Sequence, residues 1–306
     1  MPLGTNNTTT TTAANYIPQL WSDEVIATFK ANLVLANLIT RFNMVGKKGS
    51  VINVPNFTRS AANAKTQGSQ VTLIAPTHAT TPITINQWWE YSILIEDIVD
   101  KQALDSLRQA HTDDAGYALA KQVDTALVQL GRSANGGAGT AAYANGFIGG
   151  DGTTAYTSGT PNMTALTDAA IRRTIQRFDD ADYPMSGRFF MVPPSSRNTL
   201  MGISRFTEQA FVGEQGQNNT IRTGYLGNIY GIPVYVSTNC DTATGAGSPR
   251  VAVMGHKAWC ALVMQEEVRT QSQYKQEYLA DLFTADTLYG VGELRDNGAI
   301  PLIVPA

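Results

Sequence analysis

Between residues 99 and 130 the sequence holds one apolar stripe, formed by Leu104, Leu107, Ala110, Ala118, Leu119, Val123, Leu127 and Leu130. Steps of three and four residues place these side chains on one face of an α-helix. Gly131 stands where such a helix would end. Roughly 30 residues rising about 1.5 Å each would span about 45 Å. A helix of that length in 306 residues predicts a spine crossing a flattened molecule. Gly116 and the polar stretch His111-Thr-Asp-Asp114 mark where it could divide into two.

The segment before the spine alternates. From 82 to 96, Ile83, Ile85, Trp89, Tyr91, Ile93 and Ile95 share one parity, and Thr84, Asn86, Glu90, Ser92 and Glu96 share the other. Trp88 and Leu94 are apolar exceptions. Period two predicts a strand with two unlike faces. Gly49-Ser-Val-Ile-Asn-Val-Pro55 reads as an earlier strand, and 59–68 as a polar tip between them. A long hairpin alone is marginal in water, so this one is expected to rest on another surface.

Other elements follow from local signals. Residues 1–15 are rich in Thr and Asn, with neither the basic start nor the apolar stretch of a signal peptide; they read as an arm without fixed structure of its own. Ile17, Leu20, Trp21, Val25, Phe29 and Leu33 then fall at near-helical spacing, with Pro18 suited to a first turn. Thr167-Asp168 caps a helix with Ile171, Ile175 and Phe178 on one face and Arg172, Arg173, Gln176 and Arg177 on the other. A strand at 188–192, a short helix to Met201 and two short strands within 228–237 joined near Gly231 come next. Strand patterns cover 251–254, 258–264, 268–278, 287–294 and 299–304. The order is α+β with mixed sheets, not a regular βαβ series.

Composition bears mainly on what the chain is not. Charged residues are 15% of the total, below the usual share of about 25%. Net charge is −3 with no polybasic run, which speaks against a grip on nucleic acid. No apolar stretch is long enough to span a bilayer. Cys240 and Cys260 are too few for a disulfide framework and read as free thiols.

No phosphate-loop motif and no G-x-S-x-G elbow occurs. Gly136-Gly-Ala-Gly139 and Gly149-Gly-Asp-Gly152 read as turns. His78, His111 and His256 sit in unrelated contexts without metal spacing. Asp179, Asp180 and Asp182 read as a solvated helix end. Neither catalytic, cofactor-binding nor metal-ligating residues are expected.

Four segments carry a family resemblance. Ile17-Pro-Gln-Leu-Trp-Ser-Asp-Glu-Val, Gly49-Ser-Val-Ile-Asn-Val-Pro55, Ile95-Glu-Asp-Ile-Val-Asp-Lys-Gln-Ala103 and Gly227-Asn-Ile-Tyr-Gly-Ile-Pro-Val-Tyr-Val-Ser237 stand in an order that resembles the major capsid proteins of tailed bacteriophages, the HK97-like fold. The resemblance implies an N-terminal arm at 1–48, an E-loop hairpin at 49–91, a peripheral domain at 92–144 and 250–306 holding the spine helix, and an axial domain at 145–249. It implies a virion shell built from hexamers and pentamers of this chain, made in the bacterial host cytoplasm. Scaffolding and portal proteins are implied partners, and a cement protein is a further one. The shell would enclose double-stranded DNA without reading its sequence, and no membrane is involved.

Candidate inter-subunit contacts are Trp21, Phe29, Arg59, Lys65, Trp88 and Trp89. A competing reading places Trp88 and Trp89 within the chain's own sheet. Some relatives cross-link through Lys and Asn; Lys65 lies at the expected loop tip, but a reactive Lys needs burial and a nearby carboxylate. An encapsulin-like compartment and an unrelated soluble α+β enzyme are the alternative functions. A shell protein predicts large assemblies, whereas an enzyme predicts a monomer with a pocket.

Overall fold

A computed structural model describes residues 34–57, 60–75, 78–98, 106–203 and 227–306. The expected helix at 16–30 lies outside the described residues, as does most of 202–227.

Two sheets and one ribbon organise the chain. The first sheet has the order β1-β10-β11-β4, from Thr40–Asn43, Cys260–Lys275, Ala280–Glu293 and Gln87–Glu96. The second has the order β5-β12-β9-β6-β8-β7, from Phe147–Ile148, Ala299–Val304, Arg250–His256, Arg188–Val192, Ile232–Val236 and Asn228–Ile229. The ribbon pairs β2 (Val51–Phe57) with β3 (His78–Thr84). Parallel pairs β1·β10, β5·β12 and β6·β8 sit among antiparallel ones, so both large sheets are mixed, as the sequence implied.

The continuous strand expected at 82–96 is two strands. β3 ends at Thr84 and pairs with β2, whereas β4 begins at Gln87 and pairs with β11. One parity persists through the break: Ile83 and Ile85 are buried and Tyr91, Ile93 and Ile95 half-buried. Periodicity therefore survived while the hydrogen-bonding partner changed. At the crossing, glycines replace side chains. A Cβ on Gly290 would stand 2.5 Å from the Thr84 carbonyl oxygen, and one on Gly292 would stand 2.9 Å from Ile83 Cγ1. The ribbon base thus lies flush on β11, where Ile83 and Ile85 pack in one cluster with Ala261 and Val263 of β10.

The expected strands at 258–264 and 268–278 are one strand, β10, with register irregularities between Met264 and Arg269. β11 begins at Ala280, earlier than the apolar pattern at 287 indicated. The proximal half of this long hairpin is buried and the distal half of β10 is exposed. Apolar patterning cannot report a strand that leaves the core.

The long helix, α2, runs Ser106–Gln129 without a break at Gly116. Its 24 residues rise about 36 Å. Ala115 and Leu119 pack on Ala285, Tyr91 and Phe283, and Val123 and Leu127 enter the central cluster. Truncating Leu127, which is fully buried, would cost about 3 kcal/mol. α2 also ties down the start of the described chain. Leu35, in the short helix α1 (Leu35–Leu38), donates its N–H to Asp124 Oδ1 at 2.9 Å, and Asn239 Nδ2 donates to Oδ2 at 2.9 Å.

In the second unit, α3 (Asp168–Asp180) and α4 (Pro194–Met201) cover the six-stranded sheet. α3 follows its sequence signals. Thr167 Oγ1 accepts the Ala170 N–H, Ile171 and Phe178 are buried, and Arg172 and Arg173 face solvent. β6 is buried throughout. The main cluster joins both sheets, running from Phe189, Val251 and Val253 through Trp259 and Cys260 to Leu262 and Tyr289.

Candidate assembly surface

The described chain leaves much apolar surface uncovered, and it is concentrated on the ribbon loop and on one end of the four-stranded sheet. After β2 the chain runs without regular structure through 60–75. Val71, Leu73 and Ile74 are exposed there, Leu73 at 90%. Leaving a side chain of this size in water forgoes about 2 kcal/mol, a cost a monomer has no reason to bear. The sequence signal was available: Val71-Thr-Leu-Ile74 is an apolar run inside a polar loop. It lies just beyond the polar tip at 59–68.

Lys65 lies in this loop. Its Nζ donates to the Thr66 carbonyl and to Ser69 Oγ, both at 3.3 Å. It is exposed, and these contacts are a carbonyl and a hydroxyl, not the buried carboxylate setting that would activate an amine. From residue 47 to residue 89 the sequence carries Lys47, Lys48, Arg59 and Lys65 and no carboxylate. Trp21, Phe29 and Arg59 lie outside the described residues.

Trp88 and Trp89 sit on β4, opposite Leu288 and Thr287. Both belong to the chain's own sheet, yet both side chains are exposed, Trp88 at 72%. Trp88 is anchored at one point, its Nε1 donating to Asp286 Oδ2 at 3.3 Å. Asp286 also takes two bonds from Arg269, Nε at 3.1 Å and Nη2 at 2.7 Å. The Arg269 bonds hold the Asp286 carboxyl below the usual range against its burial, with Trp88 adding to the effect. Arg269, Asp286 and Trp88 therefore form a rung across three strands that orients the indole without covering it.

Among the described residues the outer edge of β4 is unpaired. Asp97 donates its N–H to the Leu279 carbonyl at 3.0 Å, so residues of that parity point their backbone groups at β11. Alternation turns those of Trp88, Glu90, Ser92, Leu94 and Glu96 outward, and β11 is the one strand paired with β4 among the described residues. An unpaired edge is a template for another chain.

At the far end, Ile98, Tyr278 and Leu279 are exposed around a shallow cleft of about 440 Å³ that Glu96 and Asp97 also line. Tyr274 Oη donates to Asp97 Oδ2 at 2.8 Å, which raises the phenol's pKa. With Glu277 and Asp281 nearby in the turn, this end is acidic where the ribbon is cationic.

Among the described residues no group of His, Cys, Asp and Glu is placed to hold a metal ion. Asp179 of the acidic cluster receives Arg188 Nη2 at 2.7 Å. No helix among the described residues is long and apolar enough to cross a membrane.

The profile of the phage capsid protein family matches residues 79–295, well over half of the chain. The chain belongs to the phage capsid protein family. It is a major capsid shell protein with the HK97-like fold. A structure from Mycobacterium phage Che8 superposes with a TM-score of 0.73 at 22% identity, covering 94% of this chain and 97% of the other. The capsid of the cyanophage P-SCSP1u gives 0.74 at 19%, covering 99% and 96%. The mature capsid of bacteriophage PhiM1 gives 0.69 at 15%, covering 94% and 92%. A search of curated proteins found no match.

Proposed function

We propose that this capsid protein assembles with copies of itself, as hexamers and pentamers, into an icosahedral shell around double-stranded DNA. The observation that carries the reading is the exposed apolar ribbon loop, Val71, Leu73 and Ile74, matched by exposed apolar residues at the far end of the four-stranded sheet. Contacts within a ring of identical subunits are heterologous, so one surface must fit a different one. A cationic apolar loop and an acidic apolar sheet end make such a pair, and opposite charge favours correct encounter.

In this reading 1–48 is the arm, 49–91 the E-loop, 92–144 with 250–306 the peripheral domain, and 145–249 the axial domain. Trp88, Trp89 and Lys65, with Trp21, Phe29 and Arg59, contribute inter-subunit contacts. The protein acts structurally, not as an enzyme. It is made in the bacterial cytoplasm with scaffolding and portal proteins, and a cement protein is a further partner. The weakly acidic composition suits a wall that DNA packs against without being gripped.

Electron microscopy of the purified chain tests this. Closed particles are expected from the native sequence. Replacing Val71, Leu73 and Ile74 together by Ser should abolish them while changing the stability of the unassembled chain by less than about 0.5 kcal/mol. Particles forming equally well from that variant, or a native chain that stays monomeric at high concentration, would defeat the proposal.

A further inference from the structure

β9 belongs to the six-stranded sheet and β10 to the four-stranded one, so the turn 257–259 is one covalent joint between them, the connection from β11 to β12 being another. His256 is the last residue of β9 and is buried at 7% exposure. Both ring nitrogens are engaged. Ala258 donates its N–H to Nδ1 at 3.1 Å, and Nε2 lies 3.0 Å from the Ser186 carbonyl. Nδ1 must therefore be the bare nitrogen and Nε2 the protonated one. One neutral imidazole thus fastens the joint to the turn that precedes β6.

The surroundings leave no room for a second proton. Lys257 donates its N–H to the Gly187 carbonyl at 2.8 Å, closing the turn beneath the ring. A Cβ on Gly187, at φ +86°, would stand 3.4 Å from Nε2. The Tyr183 ring lies 5.3 Å from the imidazole. Three cations face it: Arg188 from β6, Lys257 from the joint and Arg295 from the segment after β11. Arg188 is paired with Asp179. Asp182 lines the cleft of about 440 Å³ that opens beside the ring, together with Tyr183, Pro184 and Arg295. The cleft gives solvent protons a route to Nδ1.

We propose that His256 is a proton-sensitive clasp that fixes this joint between the two sheets when neutral and releases it when charged. Protonation of Nδ1 turns an acceptor into a donor facing the donor N–H of Ala258, so that bond must break. The added positive charge meets Arg188, Lys257 and Arg295 in a confined site. Burial, then these cations, lower the histidine's pKa against the Ser186 hydrogen bond. The neutral clasp is accordingly complete above the ordinary histidine value of about 6.5. Its contribution to stability is lost as pH falls from there through the depressed value, because the unfolded chain binds the proton first.

Hydrogen exchange read by mass spectrometry on the full chain tests this, with labelling times corrected for the intrinsic pH dependence. Between pH 7.5 and 5.0, peptides spanning 183–187 and 256–260 should gain about tenfold in corrected exchange while peptides within 106–129 change less than twofold. His256→Asn keeps an acceptor for the Ala258 N–H and cannot charge, so it should flatten the response. Joint replacement of His78 and His111 by Asn should leave it intact. A response of equal size in His256→Asn would overturn the proposal. Lys257→Gln and Arg295→Gln supply an independent check, since removing a cation should move the midpoint to higher pH. A midpoint unmoved in both would equally defeat it.

Discussion

Arg132 and Asp241 stand 109 residues apart and meet as a two-bond ion pair, Nε to Oδ2 at 2.7 Å and Nη2 to Oδ1 at 2.9 Å. Tyr143 Oη donates to Asp241 Oδ2 at 2.6 Å and the Thr242 N–H to Oδ1 at 2.9 Å. One carboxylate thereby gathers the end of the long helix, the loop after it and the segment leading into β9. Burial pushes the Asp241 carboxyl up, but the Arg132 and Tyr143 hydrogen bonds outweigh it and the net shift is downward. Asp241→Asn should cost about 3 kcal/mol, because it strands a largely covered guanidinium. The carboxylate's contribution is present above the ordinary Asp value of about 3.9 and is lost as pH falls below it toward the depressed one. Urea unfolding across pH 2.5 to 6 should therefore show a steep acid limb in the native chain and a shallower one in the variant.

Gly290 lets the ribbon base lie on β11. A methyl group there would meet the Thr84 carbonyl oxygen at 2.5 Å and Ile85 Cα at 3.0 Å, both backbone atoms that no rotamer can clear. Gly290→Ala should lower stability by about 2 kcal/mol. Gly116→Ala, at a half-buried helix position, meets nothing within 4 Å and should raise stability by about 0.5–1 kcal/mol. Thermal unfolding of the two variants side by side separates close packing from backbone propensity.

Tyr289 is fully buried, yet its hydroxyl has no hydrogen-bond partner among the described residues. Burial pushes the phenol's pKa up to about 12. Removing an unpartnered buried hydroxyl removes a desolvation cost without breaking a bond. Tyr289→Phe should leave stability unchanged or raise it by up to about 1 kcal/mol. A loss above about 1 kcal/mol in calorimetry would show that a bound water or a partner subunit satisfies the group.

Cys240 and Cys260 are free and buried. Burial pushes Cys240 up to about 12 and Cys260 higher still. Since the thiolate is the reactive form, a disulfide-exchange reagent at pH 8 should label neither in the folded chain. Labelling should track global unfolding in urea. Fast labelling of either thiol in native buffer would contradict the packing described around them.

What could be read early was local. The α3 helix announced itself through Thr167 and the Ile171, Ile175 and Phe178 face, β6 through a run of Phe, Met and Val, and the β7–β8 turn through Gly231, which adopts φ +80°. These signals lie within a few residues of the structure they specify. Of the exposed apolar residues, Trp88 and Trp89 stand out in the sequence as aromatics on an alternating strand, whereas no local pattern marks Tyr278, Leu279 and Ile98 as exposed.

The sequence by itself determined the long helix ending near Gly131, the capped helix at 168–180 with its apolar face, the buried strand at 188–192, and that no familiar catalytic motif is present. The tertiary structure alone decided that 82–96 divides between a ribbon and a sheet, that 260–275 is one strand leaving the core, that Arg132 finds Asp241, and that β4 pairs along one edge with β11. The physical reason is range. Periodicity and capping act over one or two turns, but pairing, crossing and exposure depend on which distant segment arrives alongside, and that is settled by the whole chain packing at once.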